Sequence, residues 1–280
     1  GVGGPAGRSV SAMLLDRRHD VIGVDLRQIE QPTFPFYTVP AAHDPDLLSA
    51  VYQIARRERV DLIIPTVSEE LTVFARSWTW GAVFPAVISP ASAVEIADDK
   101  YRTASVLHNH SVPVPRFGLP SQFSSADDLA ERIGWPCITK PRVGRGGREV
   151  AIHEAADWPV VAALGDGYII QEFAAGTDYA PNLCALPGGK SVVVVLEKTE
   201  LKEGLVGNAR SVVRAEAEDV AAVALSAAQA VGLQGPLDID IRRRTDGQPV
   251  VLEINARFGA NIRFAPEVMD AALRFYGVTE

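Results

Sequence analysis

The strongest constraint on how this chain folds lies near its end. Residues 238–255 read D-I-D-I-R-R-R-T-D-G-Q-P-V-V-L-E-I-N. Two runs of alternating apolar and polar residues flank Asp246-Gly247, a dipeptide that favours the tight turns of β-hairpins. With those two residues as the turn, Asp240 faces Glu253 and Asp238 faces Asn255. Alternation puts these four on one face and sends Ile239, Ile241, Leu252 and Ile254 into a core on the other. Opposed residues carry Cβ atoms about 4.5–5.5 Å apart, and like charges there are destabilising. Such a pair calls for a cation between the carboxylates. Hard oxygen ligands suit Mg²⁺, which commonly takes one or two carboxylates together with substrate phosphates. The register rests on the turn, and the plain alternative is a solvated polar face on an edge hairpin.

Upstream, short apolar runs alternate with helical patterns. Within residues 1–90, helices are expected at Ser9–Arg18, from an Asp44–Pro45 cap pair to Arg59, and at Ser68–Arg76; strands are expected at Val21–Asp25, Val60–Pro65 and Gly81–Ile88. This alternation predicts a parallel sheet with helices on both faces. Residues 91–116 read as a helical connector ending in the proline-stiffened Val112–Arg116. Residues 117–174 form a second unit, with a helix at Ala126–Ile133 and strands at Pro136–Lys140, Glu149–His153 and Tyr168–Phe173. Residues 175–280 form a third, with strands at Ser191–Leu196 and Ser211–Arg214, an alanine-rich helix at Glu218–Val231 and the hairpin. The expected class is mixed α/β and α+β. Gly1–Gly7, G-V-G-G-P-A-G, is a glycine loop of the kind that follows a strand, and no methionine opens the chain. The expectation is an N-terminus that has lost its first strand by truncation or processing.

A second chemical signal is the segment Pro136–Val150, P-C-I-T-K-P-R-V-G-R-G-G-R-E-V. A strand ending in Lys140 runs into a loop with Gly144, Gly146 and Gly147, interspersed with Arg142, Arg145 and Arg148. Glycines let backbone N–H groups approach an anion, and the cationic side chains neutralise it. A surface hairpin with solvated arginines is the competing reading. The chain as a whole carries 27 Lys and Arg against 35 Asp and Glu, a net charge of −8, so a local cationic cluster stands out.

Lys140 before a glycine loop, then Q-E-F-A-A-G-T-D-Y at 171–179, then E-I-N-A-R at 253–257, resembles the ATP-grasp superfamily in order and spacing. The opening glycine loop followed by V-I-G-V-D at 21–25 resembles the Rossmann-like pre-ATP domain of the branch related to carbamoyl-phosphate synthetase. The resemblance implies an ATP-grasp fold, with residues 1–90 the pre-ATP domain, 91–116 the connector, 117–174 the small subdomain and 175–280 the subdomain with the metal site. It implies an ATP- and Mg²⁺-dependent ligase, with Mn²⁺ as an alternative metal, that activates a small carboxylic acid such as an amino acid as an acylphosphate for attack by an amine. Residue by residue, Lys140 and Lys100 match nucleotide-contacting lysines, and Gly144, Gly146 and Gly147 the phosphate loop. Glu172, Phe173 and Ala174 match the hinge that holds adenine, and Asp178 the acid that holds the ribose. Asp240, Glu253 and Asn255 match the metal ligands, and Arg257 an arginine near the transferred phosphoryl group. Relatives often have proline where Ala256 stands and a second glycine where Ala260 follows Gly259. Dimers are common among such relatives, and no residue decides between a monomer and a homodimer.

Other residues stay open to two readings. Glu69 and Glu70 follow the Leu62–Pro65 run; Glu70 is a candidate for a substrate amine, or both are first-turn helix carboxylates. Lys198, Lys202, Arg210 and Arg263 are candidates for a substrate carboxylate or for plain solvated cations, with Arg210 and Arg263 favoured. Gly1, Gly4, Gly7 and Asp25 also resemble an NAD-binding fingerprint, and a non-catalytic ATP-binding module is the other alternative. The acidic balance is the reverse of a nucleic-acid binder's. The longest apolar run, Val220–Leu225, is far short of the roughly 20 residues that span a bilayer. Two cysteines, Cys137 and Cys184, make no disulfide framework, no secretory signal is visible, and a reducing cytoplasm is the expected location.

Overall fold

The computed structural model describes residues 1–79, 84–144, 146–188, 190–203 and 206–278. The chain begins with helix α1 (Pro5–Asp16), whose N1 position is filled by Pro5 after Gly4. Strands β1 (Gly23–Asp25) and β2 (Phe36–Thr38) pair in parallel, followed by helices α2 (Leu47–Arg57) and α3 (Ser68–Thr79). The connector holds α4 (Ala91–Asp98) and α5 (Lys100–Asn109). Asp99 caps α5 by accepting the N–H groups of Tyr101 and Arg102.

Next come β3 (Phe117–Gly118), α6 (Ala126–Arg132), β4 (Cys137–Pro141), β5 (Ala151–His153), α7 (Trp158–Ala162) and β6 (Tyr168–Glu172). Their strands form an antiparallel sheet in the order β3-β6-β4-β5. One face buries Cys137 and Ile170 against Leu129 of α6, Ile133 just after it and Val161 of α7. Period-two alternation therefore turns Ile138, Lys140 and Gln171 to the opposite face.

The rest of the chain supplies β7 (Asp178–Tyr179), β8 (Asn182–Ala185), β9 (Val192–Val194), β10 (Leu196–Glu203), β11 (Val206–Arg214), α8 (Glu218–Val231), β12 (Gly235–Arg243), β13 (Pro249–Asn255) and α9 (Pro266–Phe275). β12 is central: it pairs with β13 on one side and with β7 and β8 on the other. Its Leu237, Ile239 and Ile241 pack with Val251 and Ile254 of β13 and with Val220, Ala224, Ala227 and Val231 of α8. Small residues on α8 let it lie close to the sheet. Gly232, at φ +77°, ends the helix in a left-handed cap, and the Leu233 N–H bonds to the Ala228 carbonyl at 2.9 Å.

Several expectations need correction. Val60–Pro65 and Gly81–Ile88 are not extended strands: residues 81–83 lie outside the described residues, and the others meet in a single parallel bridge, Ile63 to Ala86. α2 starts at Leu47 rather than after Asp44, whose carboxylate instead accepts the Asp46 N–H at 2.9 Å. Ser191–Leu196 is two strands, β9 and the start of β10. Ser211–Arg214 is the end of the longer β11, which forms a hairpin with β10.

The 238–255 hairpin pairs Asp238 with Asn255 and Asp240 with Glu253, but by a different route from the one expected. Arg244 N–H bonds to the Gln248 carbonyl at 2.9 Å and Gly247 N–H to the Arg244 carbonyl at 3.0 Å, with Gly247 at φ +87°. The loop is thus three residues, Thr245–Gly247, which shifts the register by one. A bulge between Asp240 and Ile241 shifts it back, because Ile241 faces Val251. The cost falls on Leu252. It does not enter the core; Val251, 2% exposed, takes that place, and Leu252 joins the polar face.

Candidate active site

The polar face of the β12–β13 hairpin and the face of the small sheet that carries Ile138, Lys140 and Gln171 enclose a cleft of about 380 Å³. Its lining is apolar at Ile138, Val150 and Leu252, beside Gln171 and the Glu172–Ala174 segment, and also includes Gly4, Ser68, Asp238, Arg257 and Asn261. Gln171 is 2% exposed, and its Nε2 has no hydrogen-bond partner among the described residues.

Three lysines from three elements converge on the hairpin carboxylates. Lys100 opens α5 and is 8% exposed, so it is no surface cation. Its ammonium donates to the Gly144 carbonyl at 2.9 Å and lies 3.4 Å from Glu253 Oε2. Lys140 ends β4 and donates to the Leu252 carbonyl at 3.0 Å. Lys198 on β10 donates to Asp240 Oδ1 at 2.5 Å and lies 3.0 Å from Asp178 Oδ1. Sequence alone leaves Lys198 open between a contact to a substrate carboxylate and a solvated cation; it is buried between two carboxylates of the chain itself. Its period-two place in L-E-K-T-E-L-K-E was the available signal, but β10 itself went unrecognised.

Crowding of charge in a low-dielectric cleft moves the ionisation of these groups. Burial lowers Lys140 to about 8, against the pull of Glu253 and with Lys100 adding to the fall. For Lys198 burial also disfavours the charge, but Asp240 and Asp178 outweigh it and hold the ammonium above its ordinary range. Burial raises Asp240 to about 7, resisted by Lys198 and assisted by Glu253 and Asp238. Burial raises Asp238 too, opposed by the fields of Arg257 and Lys198. Glu253 moves the other way: burial works to raise it, but Lys100, Lys140 and Lys198 together hold it below the usual carboxylate range.

The donor set fits a hard divalent cation. Among the described residues no three His, Cys, Asp or Glu side chains converge into a ready cage. Asp240, Glu253 and the Asn255 amide therefore offer an incomplete oxygen set, which suits Mg²⁺ because that ion keeps waters and phosphate oxygens as its other ligands. Lys198 and Lys100 also stand at these carboxylates, at Asp240 and Glu253 respectively.

Beside them Arg257 is held by neutral partners: Nε donates to Ser68 Oγ at 3.2 Å, and the two terminal nitrogens to Phe258 O at 2.9 Å and Asn255 Oδ1 at 3.0 Å. Gly146, Gly147 and Arg148 line the cleft. Gly144 and Gly146 have φ of +150° and +71°, conformations that glycine adopts freely. Arg142 does not join them. It turns away to Asp99, Nε to Oδ1 at 3.1 Å, and ties the loop to α5; Arg145 lies outside the described residues.

The remaining candidates divide. Asp178, Phe173 and Ala174 line the cleft. Glu172 also lines it, but its Oε2 accepts from Arg116 Nε at 3.2 Å and Arg244 at 3.0 Å, so the carboxylate braces the hinge. Glu70 lies outside the cleft lining, with its carboxylate 3.8 Å from the Gly1 nitrogen. Arg210 pairs with Glu200 at 3.1 Å on the surface of β11, and Arg263 stacks on Phe264 at 4.9 Å; neither lines the cleft. The Asp25 carboxylate accepts the Gly3 and Arg27 N–H groups at 2.9 and 3.1 Å, turned back on the glycine loop.

Two sheets thus close on a cleft of interleaved lysines and carboxylates. Residues 97–261 match the ATP-grasp domain, and the chain belongs to that family. It is 26% identical over 189 residues to the D-alanine–D-alanine ligase of Neisseria gonorrhoeae, covering 60% of each chain. It is 29% identical over 103 residues to the carbamoyl phosphate synthase large chain of Rubrobacter xylanophilus, 36% of this chain and 10% of that one. The chain thus spans about 60% of the length of the curated ligases that it matches. Its fold resembles that of the L-amino acid ligase from Bacillus licheniformis, with TM-score 0.71, 19% identity and coverage of 94% of this chain and 70% of that one. It also resembles the N5-carboxyaminoimidazole ribonucleotide synthetase from Thermotoga maritima, with TM-score 0.71, 18% identity and coverage of 99% and 74%. These likenesses establish the ATP-grasp fold. No helix among the described residues is long and apolar enough to cross a membrane.

Proposed function

We propose that the chain is an ATP- and Mg²⁺-dependent carboxylate–amine ligase. The observation that carries this reading is the opposition of Asp240 and Glu253 on one hairpin, with Lys100, Lys140 and Lys198 brought to it from three other elements. Phosphoryl transfer is chiefly a matter of positioning and charge neutralisation, and these residues provide both. On this reading the apolar end of the cleft takes adenine, with the hinge Glu172–Ala174 along its edge and Asp178 toward the ribose. Lys100, Lys140 and the loop Gly144–Gly147 hold the phosphates, while Asp240, Glu253 and Asn255 hold Mg²⁺, which neutralises phosphate charge when bound.

The acid's carboxylate oxygen attacks the γ-phosphorus, the bond to the β-γ bridging oxygen breaks and ADP departs, with Arg257 beside the transferred group. An amine nitrogen then bonds to the acyl carbon, the carbon–oxygen bond to phosphate breaks, and inorganic phosphate leaves. Ligases among the curated relatives and fold neighbours act on amino acids by name, which supports an amino acid as the acid. The division into a pre-ATP domain (1–90), connector (91–116) and two grasp subdomains (117–174, 175–280) belongs to the same reading. So does a cytoplasmic location, which suits two buried, unpaired thiols.

The test is phosphate release by the full-length protein with MgATP, a panel of amino acids and other small acids, and a panel of amines. Release that needs both an acid and an amine supports the ligase. MgATP binding without acid-dependent turnover would make the chain a nucleotide-binding module instead.

A further inference from the structure

Of the hairpin's two opposed polar pairs, Asp240–Glu253 and Asp238–Asn255, the ligase reading employs Asp240, Glu253 and Asn255 and leaves Asp238 without a task. Its surroundings are unlike those of its neighbours. Asp240 and Asp178 share Lys198, and Glu253 has Lys100 at 3.4 Å. Among the described residues no lysine or arginine pairs with Asp238. Its Oδ1 accepts instead from the neutral amide of Asn182, Nδ2 at 3.3 Å. Arg257 shows the mirror image: its guanidinium is bonded to Ser68, Phe258 and Asn255, none of them charged. Two opposite charges thus line the cleft on either side of Asn255, which pairs with Asp238 across the hairpin and accepts from Arg257; each is positioned by neutral partners and neither is paired with the other.

Room for the carboxylate is built into the backbone. A Cβ on Gly259 would stand 2.6 Å from Asp238 Cγ and 2.8 Å from both carboxylate oxygens. No side chain fits there while Asp238 faces the cleft.

We propose that Asp238 is the docking point for the acceptor's nitrogen, that of a primary amine arriving as an ammonium, and that it holds this nitrogen beside the acylphosphate gathered at Arg257. The inference rests on the ligase reading. An ammonium brings the charge that Asp238 lacks and several N–H donors for a carboxylate that accepts only. An alcohol brings a single O–H and no charge, so the site selects amines. In the step itself the docked ammonium releases one proton to solvent, and the freed lone pair bonds to the acyl carbon. The bond from that carbon to the phosphate oxygen breaks with its electrons, and the nitrogen's second proton leaves with the phosphate.

The test uses the full-length protein, MgATP and an acid that it activates. Acylphosphate is trapped as the hydroxamate by hydroxylamine, a small nucleophile uncharged at neutral pH, and ligation is followed with the primary amine. Asp238→Asn keeps the shape of the side chain and removes its charge. The expected result is a KM for the amine raised about 10- to 100-fold more than the KM for hydroxylamine, the range for losing a charged hydrogen bond. Gly259→Ala, which displaces the carboxylate without removing it, should give the same asymmetry. Equal changes toward both nucleophiles would overturn the docking role. So would a loss of MgATP affinity larger than the change in the amine KM, which would place Asp238 in the metal set. A wild-type protein that yields no hydroxamate from any acid overturns the ligase reading and this inference together; hydroxamate formation with an unaltered amine KM in Asp238→Asn overturns the docking role alone.

Discussion

Lys140 offers the sharpest test of the cleft's electrostatics. It is 6% exposed and donates to the Leu252 carbonyl at 3.0 Å. Burial, opposed by Glu253 and reinforced by Lys100, lowers it from 10.5 to about 8. A lysine of ordinary basicity stays protonated from pH 7 to pH 9 and would give a flat nucleotide affinity. A group titrating at about 8 is roughly nine-tenths cationic at pH 7 and roughly one-tenth at pH 9. On the proposed reading the cationic form holds phosphate, so binding is strong below the pKa and is lost as pH rises through it. The dissociation constant for a non-hydrolysable MgATP analogue should therefore rise about tenfold over those two units, about 1.4 kcal/mol. Isothermal titration calorimetry at fixed ionic strength measures it directly. Lys140→Met keeps the apolar stem; it should bind more weakly at pH 7 and show no slope. A flat wild-type profile, or the same slope in Lys140→Met, would refute the assignment. Stability responds in the opposite sense. The unfolded chain keeps the proton up to 10.5 while the folded one releases it from about 8, so the unfolded state binds more protons in that window. The folded state therefore gains stability as pH rises across it.

Three further outcomes are expected. Val251→Ala, in the core, should cost about 2 kcal/mol in urea unfolding. Leu252→Ala, on the cleft face, should cost about half that and instead weaken nucleotide binding; the reverse ranking would contradict the bulge. Glu253→Gln removes the carboxylate that faces Asp240 and pairs with Lys100, and MgATP should then raise Tm no more than ATP with chelator does. Burial pushes both Cys137 and Cys184 up to about 12, so neither thiol should react with an aromatic disulfide reagent at pH 8 until denaturant is added; prompt reaction in the native state would refute that burial.

The parts of this fold that were legible in the sequence are those where one local rule acts alone. The α8 bounds, Glu218–Val231, follow from acidic residues in the first turn and a glycine after the last. The opposition of Asp240 and Glu253 was legible for a weaker reason. A two-residue turn was expected and a three-residue loop formed, but the bulge beyond Asp240 cancelled the shift. Only Leu252, inside the compensated stretch, shows that two displacements occurred. What stayed hidden depends on distant partners. β7 and β8 are too short to show alternation and exist because β12 offers them an edge. β10 carries E-K-T-E-L-K-E, a composition that reads as a solvated segment until the sheet places Lys198 between Asp178 and Asp240. Arg142 sits in a glycine loop as a phosphate ligand would, yet it serves Asp99 because α5 passes beside it. Single residues reveal charge type, whereas which charge meets which is a property of the topology.

That topology also explains how one cleft can hold so much charge. Asp178, Asp240 and Glu253 lie among Lys100, Lys140 and Lys198, each cation drawn from an element other than the hairpin. Taken singly, any of these buried charges would cost several kcal/mol, and together they neutralise one another. The same interleaving suits the cleft to a metal–polyphosphate complex. A divalent cation can replace the lysines at the carboxylates while phosphate oxygens replace the carboxylates at the lysines, so every charge keeps a partner of opposite sign. Asp238 and Arg257 stand apart from these pairs, because neutral groups hold them both. On the proposed ligase reading, those two charges are therefore left for the molecules that react rather than for the nucleotide that drives the reaction.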